Sequence, residues 1–269
     1  MRSFSPLFSL IFGLSFAVAP SFAAEFSAPS ALAAKPAQLW SAVMTGLYGP
    51  YDKKLKCWIG KWDRDRICMR PHKLASHSID GIERIYMVIA GAQTPAQECH
   101  ACGGNVGFVV LEKRGDRLEL VAANDLYHET GSWGSAPDEE AFNFVRLGPK
   151  EYGWTMDFGY TGQGVTMGSV EVFAPADAQV KSLGGIMTIF DDCAAYGDGR
   201  PCDSYSFDLS FDETGQGRYY DAVLTLAADS EKPDIGDRFV VPFVADKGEY
   251  VAPSEVRQLL RDSDDDGDE

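Results

Sequence analysis

The chain has 269 residues and a formal net charge of −16, with 40 acidic against 24 basic side chains. Such a surface repels nucleic-acid phosphates and anionic lipid head groups, and the length suffices for one large domain with a substantial core. We therefore expect no nucleic-acid partner, and instead a protein, glycan or small-molecule partner that is cationic or neutral.

The N-terminus has the features of a secretory signal peptide. Arg2 precedes an apolar run from Leu7 to Val18, and the small residues around Ala23 offer a cleavage position. The run is too short for a stable membrane span. We predict cleavage after Ala23, no membrane insertion, and a soluble protein in the periplasm or outside the cell.

A tether over residues 24–35 is predicted to lead into one helix, over residues 36–48. Pro36 suits a first helical turn, Leu39, Val43 and Leu47 recur every four residues, and Gly49-Pro50 ends the pattern. We assign residues 36–261 to a single β-rich domain, and the acidic residues 262–269 to a disordered tail.

Beyond residue 80 apolar residues recur at every second position. The segments YGWTMDF (152–158) and YSFDLSF (205–211) alternate aromatic with polar side chains, and Gly, Asp and Asn separate the segments at short intervals. This pattern predicts an all-β fold, an antiparallel sandwich or barrel-like domain with the N-terminal helix and a short C-terminal helix from Ser254.

Six cysteines suit an oxidising compartment, and local pairing is the simplest arrangement. We predict three disulfides, which join Cys57 to Cys68, Cys99 to Cys102, and Cys193 to Cys202. The CxxC segment ECHACGG (98–104) is followed by a glycine pair and a strand, so it lacks the helix N-terminus that usually activates such a thiol. A structural link is favoured there, with a thiol oxidoreductase as the second alternative function.

Three tryptophans supply the candidate binding residues. Trp58 and Trp62 lie between Cys57 and Cys68, and Trp133 lies in the glycine-rich segment GSWGSA (131–136). A stiffened loop loses little entropy on binding, which favours recognition. The competing interpretation is that the indoles cap the core.

The segment DDCAAYGDGRPCD (191–203) holds the candidate metal ligands Asp191, Asp192, Asp198 and Asp203. Calcium prefers carboxylate oxygens on loops, but this spacing matches no established calcium loop. No other cofactor is expected. A clamped, solvated turn is the competing interpretation.

These features together favour a non-catalytic binding or interaction protein, for instance an inhibitor of a basic envelope enzyme, and no catalytic residue is assigned. A metal-dependent or carboxylate-based hydrolase is the first alternative, because distant acidic residues can meet in space. No nucleophile-elbow or phosphate-binding motif supports another chemistry.

Overall fold

The computed structural model describes residues 26–62, 65–94, 102–196, 201–228, 230 and 236–260, without the side chains of residues 62, 125 and 127–129. In chain order, the described helices and strands are β1 (Ser27–Pro29), α1 (Pro36–Tyr48), β2 (Trp58–Trp62), β3 (Asp65–Ile79), β4 (Ile82–Thr94), β5 (Gly104–Arg114), β6 (Arg117–Thr130), β7 (Phe142–Arg146), β8 (Tyr152–Gly162), β9 (Val165–Ala176), β10 (Gln179–Asp191), α2 (Cys193–Tyr196), β11 (Ser204–Phe211), β12 (Ala222–Leu226), β13 (Arg238–Val241), β14 (Phe243–Val244), β15 (Glu249–Tyr250) and α3 (Ser254–Leu259).

Two antiparallel sheets form the body of the protein. The first has the strand order β1-β6-β5-β4-β3-β2, the second has the order β13-β12-β11-β10-β9-β8-β7, and β14 pairs with β15 as a separate hairpin. Apart from β1, each strand pairs with strands adjacent to it in sequence, as expected when short turns connect antiparallel strands. The predicted all-β antiparallel fold is confirmed.

The first sheet contributes to a hydrophobic core on each of its two faces, since successive side chains of a strand point to opposite faces. In β4, Ile85 and Met87 belong to a core shared with α1, whereas Tyr86 and Val88 belong to a core shared with the second sheet. The helix contributes its buried residues Leu39, Val43 and Met44 to the first of these cores. The predicted helix over 36–48 is therefore confirmed, with its apolar stripe against the sheet.

The second sheet also contributes to two cores. In β9, Phe173 packs toward the first sheet, while Val172 and Ala174 belong to a third core on the other side. The C-terminal segment closes that third core with Val256 and Leu260, so the predicted short helix from Ser254 is present and has a packing role. No helix within the described residues is long and apolar enough to cross a membrane.

Two segments are more regular than the sequence analysis indicated. Ser27–Pro29, within the predicted tether, pairs with Arg117–Glu119 of β6, because the edge of β6 offers free backbone groups. Residues 58–62 and 65–68, expected as a closed loop, are paired strands of a hairpin, with Trp58 opposite Met69. The apolar alternation there is interrupted by charged residues, which masks the strand signal in the sequence.

Two of the three predicted disulfides are confirmed. Cys57 is bonded to Cys68 at the base of the β2–β3 hairpin, and Cys193 is bonded to Cys202 between β10 and β11. Cys102 is also disulfide-bonded, while its predicted partner Cys99 lies outside the described residues.

Candidate functional site

A groove in the second sheet arises where β10 and β11 part. These strands are paired over only three residues, Ile189–Asp191 with Ser204–Ser206. Beyond Ser206, β11 continues its pairing with β12, while β10 continues with β9. Residues of β11 beyond this point line a groove together with residues of β7 to β10.

The groove has a volume of about 570 Å³, within the range of small-molecule sites. Its described lining is rich in hydroxyl, amide and carboxyl groups, which come from Asn143, Thr155, Asp157, Ser169, Thr188, Ser206, Asp208 and Ser210. Apolar side chains from the same strands, among them Phe158 and Ile189, complete it. The combination offers both hydrogen-bonding groups and apolar contact area.

Two carboxylates give the groove its charge. Asp157 in β8 and Asp208 in β11 both line it, and no lysine, arginine or histidine is among its described lining residues. Both side chains are exposed to solvent. The surrounding groove atoms still remove part of the hydration of the Asp157 carboxylate, which raises the pKa of that carboxyl above its usual value. Within the described part of the chain, neither carboxylate has a side-chain hydrogen bond or ion pair, so both remain available to a ligand.

The strands beside the groove also carry exposed apolar side chains. Phe158 is 46% exposed and Tyr160 is 60% exposed in β8, while Met167 in β9 and Ile189 in β10 are more than one-third exposed. Tyr160 lies opposite Met167, and Gly168 lies opposite Ile189, so the four residues belong to one end of three adjacent strands. Apolar rings next to hydrogen-bonding groups are a common feature of ligand sites.

The short helix α2 packs against the same end of the sheet. Gly164, in the β8–β9 turn, has a φ of 82°, and a Cβ atom there would lie 2.5 Å from the backbone nitrogen of Ala195. Only glycine allows this approach without a shift of the backbone. The disulfide between Cys193 and Cys202 thus holds a segment that borders the end of β8–β9.

The three predicted binding tryptophans lie on elements that meet at one end of the first sheet. Trp58 is half-buried against the core under α1, and Trp133 is 57% exposed at a φ of 54°. The Trp133 loop is joined to β4 because the backbone nitrogen of Gln93 donates to the Gly134 carbonyl at 2.9 Å. The side chain of Trp62 lies outside the described residues. The structure therefore places Trp58 partly in the core and leaves Trp133 accessible, and the binding role of all three stays a prediction.

Three of the predicted metal ligands accept hydrogen bonds from groups within their own loop. Asp191 accepts hydrogen bonds from the backbone nitrogen of Cys193 at 2.9 Å and from the Ser204 hydroxyl at 3.0 Å. Asp192 is buried and accepts from the backbone nitrogen of Asp203 at 2.8 Å, and Asp203 accepts from the Tyr205 hydroxyl at 3.1 Å. Through these hydrogen bonds the carboxylates stabilise the conformation of the loop.

A calcium role for this loop stays untested. Among the described residues, the one group with metal-ligand spacing joins Asp192 to Cys193 and Cys202. Those two sulfurs form a disulfide, so they offer no thiolate to a metal. Asp198 lies outside the described residues.

The CxxC segment lies at the edge of the described region. Cys102 is disulfide-bonded, and its carbonyl accepts a hydrogen bond from the backbone nitrogen of Gly134 at 2.7 Å. Cys99 and His100 lie outside the described residues. The strand β5 begins at Gly104, directly after Cys102 and Gly103, so no helix follows the segment.

The groove residues were missed as a site in the sequence, although their alternation was visible. Thr155 and Asp157 lie between the aromatic residues of β8, and Ser206, Asp208 and Ser210 lie between those of β11. The sequence indicated two polar strand faces, but it did not show that they belong to one sheet.

Comparisons with protein-family models, curated proteins and solved structures each returned no match to this chain.

Proposed function

We propose that this chain is an exported, non-catalytic binding protein, and that the groove of the second sheet binds a cationic or hydroxyl-rich neutral ligand. The observation that carries the proposal is a pair of unpartnered carboxylates, Asp157 and Asp208, in a polar groove whose described lining has no cation. Ammonium groups would be attracted to these carboxylates, and sugar hydroxyls would donate hydrogen bonds to them.

Export is supported by the disulfides and by the N-terminal sequence. Disulfides persist in oxidising compartments, and two are present, one at the β2–β3 hairpin and one between β10 and β11. The proposed signal peptide, residues 1–23, lies outside the described residues. Mass determination of the mature protein would test cleavage after Ala23.

Calorimetry with two probes tests the binding proposal. Spermidine represents the cationic class and maltohexaose represents the neutral class. We expect one of them to bind the full mature chain saturably, and the double variant Asp157→Asn/Asp208→Asn to weaken that binding at least tenfold, or about 1.4 kcal/mol.

A matched variant controls for general charge effects. Asp116→Asn/Asp246→Asn removes two negative charges from outside the groove lining and should leave the affinity unchanged. Binding of neither probe, or an equal loss in both double variants, would contradict the proposal.

Carboxylate-based hydrolysis is the second candidate, favoured by the raised pKa of Asp157, which would suit a general acid. Asp157 and Asp208 line the same groove from β8 and β11. Binding is placed first because it requires only carboxylates that a ligand can reach, whereas hydrolysis also requires the separation of about 5–9.5 Å found in glycosidase carboxyl pairs. Turnover of a glycan that is lost in Asp157→Asn while binding persists would reverse that order.

A further inference from the structure

A shallow hollow of about 510 Å³ lies on the opposite part of the molecule, between α1, the turn that follows it and the β2–β3 hairpin. Its described lining residues are Ser41, Tyr51, Lys56, Trp58, Arg70 and Pro71. It shares no lining residue with the groove of the second sheet.

The hollow has a fixed aromatic wall. The Trp58 indole nitrogen donates to the Thr45 hydroxyl of α1 at 3.2 Å, which sets the orientation of the ring. The Tyr51 ring meets Trp58 at 4.6 Å between centroids and at 66°, an edge-on arrangement, and Tyr51 remains 44% exposed. The adjacent disulfide between Cys57 and Cys68 anchors this part of the hairpin. Such a wall is ordered before any ligand arrives.

Two cations flank that wall. Within the described residues, neither Lys56 nor Arg70 has an ion pair, and Arg70 donates only to the Leu55 carbonyl, at 3.4 Å. Residues 52–70 contain seven basic and three acidic side chains, whereas the whole chain carries −16. The hairpin is thus a local positive region on an acidic protein, and it attracts anions that the rest of the surface repels.

Lys56 holds an unfavourable backbone conformation. Its φ is 57°, in the left-handed region that costs a residue with a Cβ atom about 1–2 kcal/mol. The turn imposes this value: the Asp52 carboxylate accepts from the backbone nitrogens of Lys54 and Leu55, and the Asp52 carbonyl accepts from that of Lys56. Glycine would meet the same requirement without strain, so replacement of Lys56 by glycine can remove the side chain without cost to the turn.

We propose that this hollow binds a small organic anion that has a planar ring and a carboxylate. The ring would lie against Trp58 and Tyr51, and the carboxylate would pair with Lys56 and with the free edge of the Arg70 guanidinium, whose planar fork matches a carboxylate. The volume fits a molecule of two fused rings.

Three probes separate the ring contribution from the charge contribution. 2-Naphthoate carries both features, 2-naphthamide carries the ring alone, and inorganic phosphate carries the charge alone. Calorimetry on the full mature chain should give the tightest binding for 2-naphthoate, with each of the other two at least tenfold weaker. Equal binding of phosphate, or equal binding of the amide, would overturn the proposal.

The variant Lys56→Gly tests the site without loss of the fold. It removes the cation and relieves the backbone strain, so the melting temperature should stay constant or rise while 2-naphthoate affinity falls about tenfold. Lys53→Ala, in the same turn but outside the hollow, should retain affinity. Gln163→Gly relieves a similar φ of 55° in the β8–β9 turn and controls for the stability effect. Unchanged affinity in Lys56→Gly would refute the proposal, and this result is independent of the groove experiments.

Discussion

At the scale of single residues, Glu112 is the best-satisfied buried charge in the described part of the chain. The residue is 6% exposed, and its carboxylate accepts from Arg84 Nε at 2.9 Å, from Arg84 Nη2 at 2.8 Å and from Arg114 Nε at 2.9 Å. Burial alone would raise the pKa of Glu112, but the hydrogen bonds from Arg114 and Arg84 outweigh it and hold that pKa below the ordinary value.

Glu112→Gln should destabilise the protein by about 2 kcal/mol. This lies below the loss from breaking a fully buried pair, because the Arg84 side chain remains 30% exposed and can regain some water. Urea unfolding measures the change. Glu83→Gln, which breaks the exposed pair with Lys113, should change the free energy of unfolding by less than about 0.5 kcal/mol. Equal losses in both variants would contradict this account of Glu112.

The same network predicts a pH dependence. Because the folded-state pKa of Glu112 is lowered, the folded protein binds fewer protons than the unfolded chain near that pKa. The stabilisation is complete above the unfolded pKa of about 4.3 and is lost as the pH falls through the folded value. The difference in stability between the native chain and Glu112→Gln should therefore shrink below about pH 4. If the difference in stability between the two proteins widened on acidification, the lowered pKa of Glu112 would not explain it.

Residue-scale interpretation from sequence succeeded where local patterns dominate. Gly115 and Asp116 form the turn between β5 and β6, and residues 163–164 form the turn between β8 and β9, in line with the Gly and Asp residues that separate the strand segments in the sequence. Asp191 and Asp203 were recognised as loop acids. The hydrogen bonds that Asp191 accepts from Cys193 and Ser204, and that Asp203 accepts from Tyr205, depend on how the loop closes. Sequence could not distinguish these roles from metal ligation.

At the scale of elements, α1 packs against one face of the first sheet. Leu39 is fully buried and Gln38, its neighbour, is exposed. Leu39→Ala should cost about 2–5 kcal/mol, because the sheet beneath is too rigid to fill the cavity. Gln38→Ala should change stability by less than about 0.5 kcal/mol. Thermal unfolding of the two variants measures the contrast. A loss below about 1 kcal/mol for Leu39→Ala would mean that α1 is not an integral layer.

Helices and strands could be predicted from the sequence wherever apolar residues recur at regular spacing without interruption. The helix over 36–48 and the strands with aromatic alternation follow directly from the spacing of Val43 and of residues 152–158. The β2–β3 hairpin was missed because Lys61, Asp65 and Arg66 interrupt its pattern. Its strand character comes from pairing with β4 and from the disulfide, which are non-local contacts.

At the scale of the whole molecule, neither candidate site could be derived from sequence. The groove depends on the parting of β10 and β11 after three paired residues, and the hollow depends on α1 packing over the hairpin. Both are consequences of layer packing. The average acidity predicts a cationic or neutral partner, and the groove carboxylates are the groups that we propose would bind it. The positive hairpin is a local exception that an average charge conceals.

The most direct test of the central claim is amide NMR of the ¹⁵N-labelled mature protein during titration with the probe, spermidine or maltohexaose, that binds in calorimetry. Our account predicts saturable shifts confined to residues of β7 to β11 that line the groove, and at least tenfold weaker binding in Asp157→Asn/Asp208→Asn. Shifts spread evenly over acidic residues of the whole surface, or a saturable set confined to the 191–203 loop, would contradict it.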